Sequence, residues 1–353
     1  MTTTLDVIRE TYDDPVRCAE IAGLRYVEAG QGGIRRRRHG RGFTYRDRRG
    51  GPVSATVVAR IQSLAIPPAW SDVWICADRT AHLLATGEDD RGRTQYLYHP
   101  RWRETRDVLN FYRLLVLGEQ LPTVRKHVDA QLRRRTLDRE RVIAVMLGIV
   151  DSAAVRIGTE EYAEDNDSFG LSTLTKRHAR LVRGGVELAF PAKSKRRIRT
   201  VITDRPVVRA MRELLEDRGR HLFAVEGEPV TAADVNQRLA ELTGEHITAK
   251  DFRTWRGTLT AFRHLRGELD SDRPTERIAI DALEQAAAVL GNTRAVARAH
   301  YVHPHMVSAF TDDRFAGYLD GCQVSRRPYL EGDECELLGF LRVMLDREFN
   351  LDV

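Results

Sequence analysis

The sequence predicts an α+β protein: a small, mainly β domain at the N-terminus and a larger, mainly helical domain carrying a small β-hairpin or sheet. Three observations predict this. Up to His99-Pro100 the chain consists of short alternating segments punctuated by glycine. From Trp102 onward it turns to long amphipathic runs with helical spacing. At 353 residues it also exceeds one comfortable core, so two domains are expected, 1–100 and 101–353.

In the first domain, Pro15 to Ala22 is helical and Leu24-Arg25-Tyr26-Val27 reads as a short strand. Gly32 to Gly51 alternates Phe43-Thr44-Tyr45 with arginine and is expected to form a strand pair or loop with a basic rim. Between Arg35 and Arg49 stand eight arginines and one acid, Asp47. Such a run is either a solvated face or, with tyrosines and glycines interleaved, a nucleic-acid contact. Arg35, Arg36, Arg37, Arg38 and Arg41 are its candidate DNA-binding residues. Thr56 to Leu64 is a helix that stops at Pro67-Pro68. Asp72 to Cys76 and His82 to Thr86 read as strands, Gly87 to Gly92 turns the chain, and Thr94 to Tyr98 returns it. Side chains alternate along a strand, so Tyr96 and Tyr98 share a face. They form either an aromatic pair in a small core or a surface of rings and donors offered to a DNA groove.

In the second domain the helical pattern covers Arg106 to Leu117, Thr123 to Leu132 and Asp138 to Arg156. The last has an apolar stripe of Val142, Met146, Ile149, Val150, Ala153 and Ala154. Gly158 is expected as its C-terminal cap, with Arg156 at the negative end of the helix dipole. Val186 to Phe190 and Ile198 to Ile202 alternate as strands, joined by Pro191-Ala192-Lys193-Ser194-Lys195-Arg196. Thr203 to Arg218 and Thr231 to Leu242 are helical. Thr248-Ala249-Lys250-Asp251 opens the next helix as a capping box, with Asp in the third position. Phe252, Trp255, Leu259 and Phe262 form its buried stripe, leaving Arg253 on the flank beside the core. Ile278 to Leu290 and Glu331 to Phe349 are further helices, and between them Tyr301 follows a short helical run that Pro304 ends.

The four cysteines, Cys18, Cys76, Cys322 and Cys335, are scattered without CxxC or Cys/His spacing, so reduced thiols and no zinc site are expected. Met1 is followed by polar residues, and no apolar run approaches the ~20 residues that span a bilayer. The expectation is a cytoplasmic, nucleoid-associated protein without a membrane contact. GxxxxGK[ST] is absent, which leaves ATP hydrolysis by that route without support.

Two arginines, a lysine and a tyrosine suit attack of a hydroxyl on a phosphodiester. The tyrosine supplies the nucleophile, two guanidiniums clamp the non-bridging oxygens, and the lysine donates a proton to the departing oxygen. The arginines take the role a metal would otherwise fill, so no metal or other cofactor is expected. Spacing alone does not single out this set among 56 lysines and arginines.

The motifs resemble the type IB DNA topoisomerases in their compact poxvirus and bacterial form, over nearly the whole chain. Asp90-Arg91-Gly92-Arg93-Thr94-Gln95-Tyr96-Leu97-Tyr98-His99 resembles the family's tyrosine-bearing DNA-contact strand. Val155-Arg156-Ile157-Gly158, with Tyr162 and Gly170-Leu171-Ser172-Thr173-Leu174, is similar to the first catalytic segment. Phe190 to Lys195 is similar to the lysine hairpin, and Lys250-Asp251-Phe252-Arg253-Thr254 to the second arginine segment. Leu290-Gly291-Asn292-Thr293 with Tyr301-Val302-His303-Pro304 resembles the nucleophile segment of bacterial members.

The resemblance implies a tyrosine recombinase/topoisomerase IB-like catalytic domain and a monomer closing as a clamp around double-stranded DNA. One strand would be nicked, its 3′ end held on Tyr301, the helix swivelled and the strand resealed, without ATP or divalent metal. Arg156 and Arg253 would hold the phosphate, Lys193 would be the general acid, and Asn292 would contact a non-bridging oxygen. Gln95, Tyr96, Tyr98 and Tyr162 would contact DNA. Two departures stand out. Most relatives carry histidine where this chain has Asn292, a donor that cannot be a cation. Pro191-Ala192 stands where a glycine is expected before the lysine, which keeps Lys195 as a rival to Lys193. The nearest alternative is a tyrosine recombinase, where histidine typically stands three residues before the second arginine; here it is Lys250. The other is a basic DNA-binding protein without catalysis.

Overall fold

Local signals begin the N-terminal unit. Asp14 caps helix α1 (Pro15–Ile21) by accepting from the N–H groups of Val16 and Arg17, at 2.9 and 3.1 Å, and Pro15 is already shaped for the first turn. The structure is a computed structural model that describes residues 9–12, 14–158, 168–192, 196–217 and 219–348. It divides into two compact units, Met1–Phe111 and Tyr112–Val353.

The first unit is built on an antiparallel sheet in the order β2-β1-β3-β4-β5: β1 (Ile34–His39), β2 (Gly42–Arg46), β3 (Ser71–Ile75), β4 (Leu83–Glu88) and β5 (Thr94–Tyr98). A two-residue loop joins β1 to β2, with Gly40 at φ +57°, and the register pairs His39 with Gly42. Val73, Trp74 and Ile75 are all buried, because the central strand is covered on both faces. On one face Ile34, Ile61, Val73, Ile75 and Ala85 form a core with helix α2 (Ala55–Ser63); on the other Trp74, Cys76, Ala81 and Leu83 pack together. Leu24 to Val27, expected as a strand, makes only one parallel bridge, Arg25 with Ala81. The reason is a side chain: the Val27 N–H donates to His82 Nδ1 at 3.2 Å instead of to a neighbouring strand.

Helix α3 (Pro100–Leu132) carries the chain into the second unit. It replaces the two helices expected at 106–117 and 123–132, and Pro122 lies inside it. An internal proline costs about 3 kcal/mol in an isolated helix. Here buried Leu117, Leu121 and Val124 on either side hold the helix through the break. Helix α4 (Arg139–Ala153) is buried all round rather than along a stripe, with Val142 through Leu147, Ile149 and Val150 all inside. Its buried Arg141 donates to Glu213 of α5 (Arg205–Glu216) at 2.9 Å, so the charge is paired.

A three-stranded antiparallel sheet follows, β6 (Ala179–Val182), β7 (Gly185–Ala192) and β8 (Arg196–Ile202), of which β6 had no clear sequence signal. After a short pair, β9 (Ala224–Val225) and β10 (Glu228–Pro229), come α6 (Ala232–Thr243), α7 (Ala249–Gly267), α8 (Thr275–Leu290), α9 (Arg294–His300), α10 (Pro304–Thr311), α11 (Phe315–Asp320) and α12 (Gly332–Glu348). The Asp251 carboxylate takes the Thr248 N–H and hydroxyl at 2.8 and 2.9 Å, as the capping box requires. Phe252, Trp255, Leu259 and Phe262 are all buried, as the α7 stripe demands.

Candidate active site

Four segments of the second unit meet at one pocket of about 440 Å³, lined by Arg156, Lys250, Arg253, Tyr301 and neighbouring backbone. The first holds Arg156, which does not end a helix as expected. Ala154 takes the left-handed conformation, φ +50°, and stops α4 there, its N–H bonded to Val150 O at 3.1 Å. The next four residues run alongside 168–172, which closes in a 3₁₀ turn at Leu171–Thr173. Leu171 N donates to Arg156 O and Ser172 N to Ile157 O, both at 2.8 Å. Gly158 (φ +79°) is therefore no helix cap. A Cβ there would lie 2.6 Å from Gly170 Cα, so the crossing needs glycine on both segments. The same segment is tied to the hairpin by Phe169 N to Pro191 O at 2.8 Å. Lys193, Lys195 and Tyr162 lie outside the described residues.

Arg253 was expected on a flank but is 2% exposed. Its guanidinium donates to Ala154 O and, at 3.0 Å, to Leu290 O. Those two residues also cup the Tyr301 ring, and the guanidinium carbon lies 5.0 Å from that ring's centroid. Asn292 is aimed by a helix ending. Gly291 closes α8 at φ +62°, its N–H bonded to Ala288 O and that of Asn292 to Ala287 O, at 3.2 and 2.8 Å. The Asn292 Oδ1 then accepts from Arg156 Nη2 at 2.5 Å.

Tyr301 follows α9, whose N-cap is Thr293, and is 9% exposed. Its carbonyl is held by α7: Thr258 Oγ1 donates to it at 3.4 Å and accepts from His303 N at 3.2 Å. Gly257 lets the helix come so close that a Cβ would meet Tyr301 O at 2.4 Å. Lys250, Gly257 and Thr258 were not among the candidate site residues. A glycine in the middle of an amphipathic helix, one turn after Arg253, was the legible sign of a close approach.

Burial pushes the Tyr301 hydroxyl up, yet the charges and hydrogen bonds of Arg253 and Arg156 outweigh it and bring the pKa below the usual tyrosine value. Burial, with Arg156 adding to it, brings Arg253 down to about 10. No residue lining the pocket is acidic among those described, and Arg253 Nε and Asn292 Nδ2 are buried donors without an acceptor among the described residues. A pocket lined by Arg156, Lys250 and Arg253 beside Tyr301 can receive a phosphate ester and set the hydroxyl against it. Among the described residues, no cluster of three or more histidine, cysteine, aspartate or glutamate side chains converges as metal ligands would.

The first unit has its own set. Tyr96 is 49% exposed and stacks on Tyr98, centroids 5.9 Å apart. Gln95 is held by Asp89 at 3.0 Å. Arg37, Arg38 and Arg41 are exposed, and Arg35 pairs with Asp72 at 3.1 Å. Arg36 differs from its neighbours: its guanidinium donates to the carbonyls of Ile66, Pro67 and Trp70 and lies 4.2 Å over the Phe43 ring. These bonds tie β1 to the chain before β3 and leave Arg36 partly buried beside its exposed neighbours.

Fold and pocket together define a two-unit α+β protein with a tyrosine in a cationic site. The sequence pattern of the eukaryotic DNA topoisomerase I catalytic core matches residues 99–314, and that of the bacterial DNA topoisomerase IB N-terminal domain matches 42–89. The chain belongs to the type IB DNA topoisomerases. Among similar proteins, DNA topoisomerase 1B of Acanthamoeba polyphaga mimivirus is 29% identical over 275 residues, covering 74% of this chain and 82% of its own. DNA topoisomerase 1B of Vaccinia virus (strain Copenhagen) is 19% identical over 263 residues, covering 72% and 82%. No helix among the described residues is long and apolar enough to cross a membrane.

Proposed function

We propose that this enzyme relaxes supercoiled duplex DNA by transient cleavage of one strand, with Tyr301 as nucleophile and neither ATP nor a divalent metal taking part. The observation that carries the reading is Tyr301 in one pocket with Arg156 and Arg253, whose charges and hydrogen bonds draw its hydroxyl below its usual pKa. The Tyr301 oxygen attacks phosphorus and loses its proton to solvent. The bond to the 5′ oxygen breaks, and the 3′ end remains as a phosphotyrosine. Arg156, Arg253 and Asn292 hold the non-bridging oxygens while charge builds on them. Lys193, the residue proposed as acid, gives the departing 5′ oxygen its proton. Religation is the reverse: the 5′ hydroxyl attacks, and the bond energy stored in the ester drives resealing.

Residues 1–100 serve in this reading as the DNA-gripping domain, through Gln95, Tyr96, Tyr98, Arg35, Arg37, Arg38 and Arg41. Residues 101–353 are the catalytic domain, with Tyr162 a further backbone contact. A single chain closes around the duplex, associated with the nucleoid. The names of the viral relatives, DNA topoisomerase 1B, support the same activity. The test is a supercoiled plasmid with EDTA and without ATP. The wild-type chain relaxes it and Tyr301→Phe does not, while Tyr301→Phe keeps duplex affinity. A detergent-resistant adduct formed by Tyr301→Phe would overturn the assignment. A chain that binds plasmid but never relaxes it is a DNA-binding protein without catalysis.

A further inference from the structure

Glu334 lies on α12, beyond the 99–314 stretch that matches the family's catalytic core. Its side chain is 3% exposed. Arg125 of α3 reaches it with both terminal nitrogens, Nη1 to Oε2 at 2.6 Å and Nη2 to Oε1 at 2.8 Å. The Trp255 indole N–H donates to Oε1 at 3.1 Å, and the Glu331 N–H to Oε2 at 2.9 Å. The same guanidinium grips Asp151 of α4, Nε to Oδ2 at 2.7 Å and Nη2 to Oδ1 at 3.0 Å, and donates to Tyr329 O at 2.7 Å.

Where these joints fall is the telling feature. Asp151 stands three residues before Ala154, whose carbonyl holds Arg253, and five before Arg156. Trp255 stands two residues after Arg253 on α7. One guanidinium and one carboxylate therefore tie together the two backbone segments that present the two arginines. The Trp255 ring is wedged as well: a Cβ on Gly118 would lie 2.7 Å from it, so α3 blocks movement in that direction. Stability alone is a weak reason for such a network, since apolar replacements of buried ion pairs are often neutral or better. Fixed, directional bonds between helices do what apolar packing does poorly: they set a separation.

We propose that Glu334 is a positioning residue that sets, through Arg125 and Trp255, the separation of Arg156 and Arg253. The proposal rests on the reading of those arginines as the phosphate clamp, and it makes the C-terminal helix part of the catalytic apparatus rather than an appendage.

The experiment compares Glu334→Gln with Glu119→Gln in the full chain. Glu334→Gln keeps shape and an acceptor for Trp255 but loses the charge. Glu119→Gln weakens the pair that Arg342 makes at 2.5 Å, a second tie between the same helix and α3. Single-turnover adduct formation on a nicking substrate, duplex affinity and the thermal midpoint are measured for each. Glu334→Gln is expected to slow adduct formation about 10- to 100-fold, the scale set by misplacing reacting groups by up to about 1 Å, at near wild-type affinity. Glu119→Gln cleaves at the wild-type rate even at an equal loss of midpoint. Should Glu334→Gln fail to fold, Asp151→Asn loosens the same guanidinium from its other side and is read in the same way. Equal cleavage by the two variants, or an unchanged rate in Glu334→Gln, overturns the proposal while wild-type adduct formation leaves the function intact. A wild-type chain that forms no adduct at all overturns both.

Discussion

At the scale of single residues, Tyr301 is governed by opposing effects. Burial disfavours the phenolate, and the nearby charges of Arg253 and Arg156, with their hydrogen bonds, favour it more strongly. The folded pKa is therefore depressed, and the phenolate appears at lower pH than for an ordinary tyrosine at about 10. A difference titration of phenolate absorbance, wild type minus Tyr301→Phe, should show this low-lying group. Arg253→Ala should move it upward, because the cation that favours the charged form is gone. A titration indifferent to Arg253→Ala would mean that the guanidinium does not act on the hydroxyl. Asn292 works differently: its Oδ1 is spent on Arg156 and only the neutral Nδ2 donor remains for a ligand. Each such bond is weaker than one from a histidinium at the same place.

At the scale of elements, α7 is the rule on which the site is measured. Arg253 and Gly257 are one turn apart on one face, so the arginine and the seat of the nucleophile's backbone are spaced by a single helix. Gly257→Ala tests this with an inverted sign. In an ordinary helix interior the change stabilises by about 1 kcal/mol. Here the new methyl enters the Tyr301 carbonyl, so the thermal midpoint should fall and adduct formation slow, with duplex affinity kept. A more stable, fully active Gly257→Ala would show that the approach is not tight.

At the scale of the whole molecule, the net charge of +5 understates the local charge of the β1-β2 hairpin, where Arg35, Arg36, Arg37, Arg38, Arg41 and Arg46 lie together and which the proposed function assigns to DNA. Duplex affinity should fall steeply with salt. Neutralising Arg37, Arg38 and Arg41 should flatten the plot of log K against log salt by about 0.9 for each phosphate left without its arginine. Arg36→Gln should behave otherwise, lowering stability and leaving the slope nearly unchanged, since its guanidinium bonds three backbone carbonyls. An unchanged slope in the triple variant would make the hairpin a solvated face only.

What the sequence determined by itself was whatever local backbone preference and one-sided burial can encode. The strands between Asp72 and Tyr98, the Thr248/Asp251 capping box, the buried stripe of α7 and the motif segments bearing Arg156, Arg253, Asn292 and Tyr301 were all legible. Their signals lie within one turn or one strand. Tertiary structure decided the rest. Pro122 stays inside a helix because apolar packing on both sides outweighs its local cost. Ala154 rather than Gly158 ends α4, because Gly158 is needed where two backbones cross. Arg36 turns inward where its neighbours face water, and Glu334 meets Arg125 and Trp255 across three helices. These pairings join residues far apart in the chain, and their energies depend on how separate elements pack, which no local pattern records.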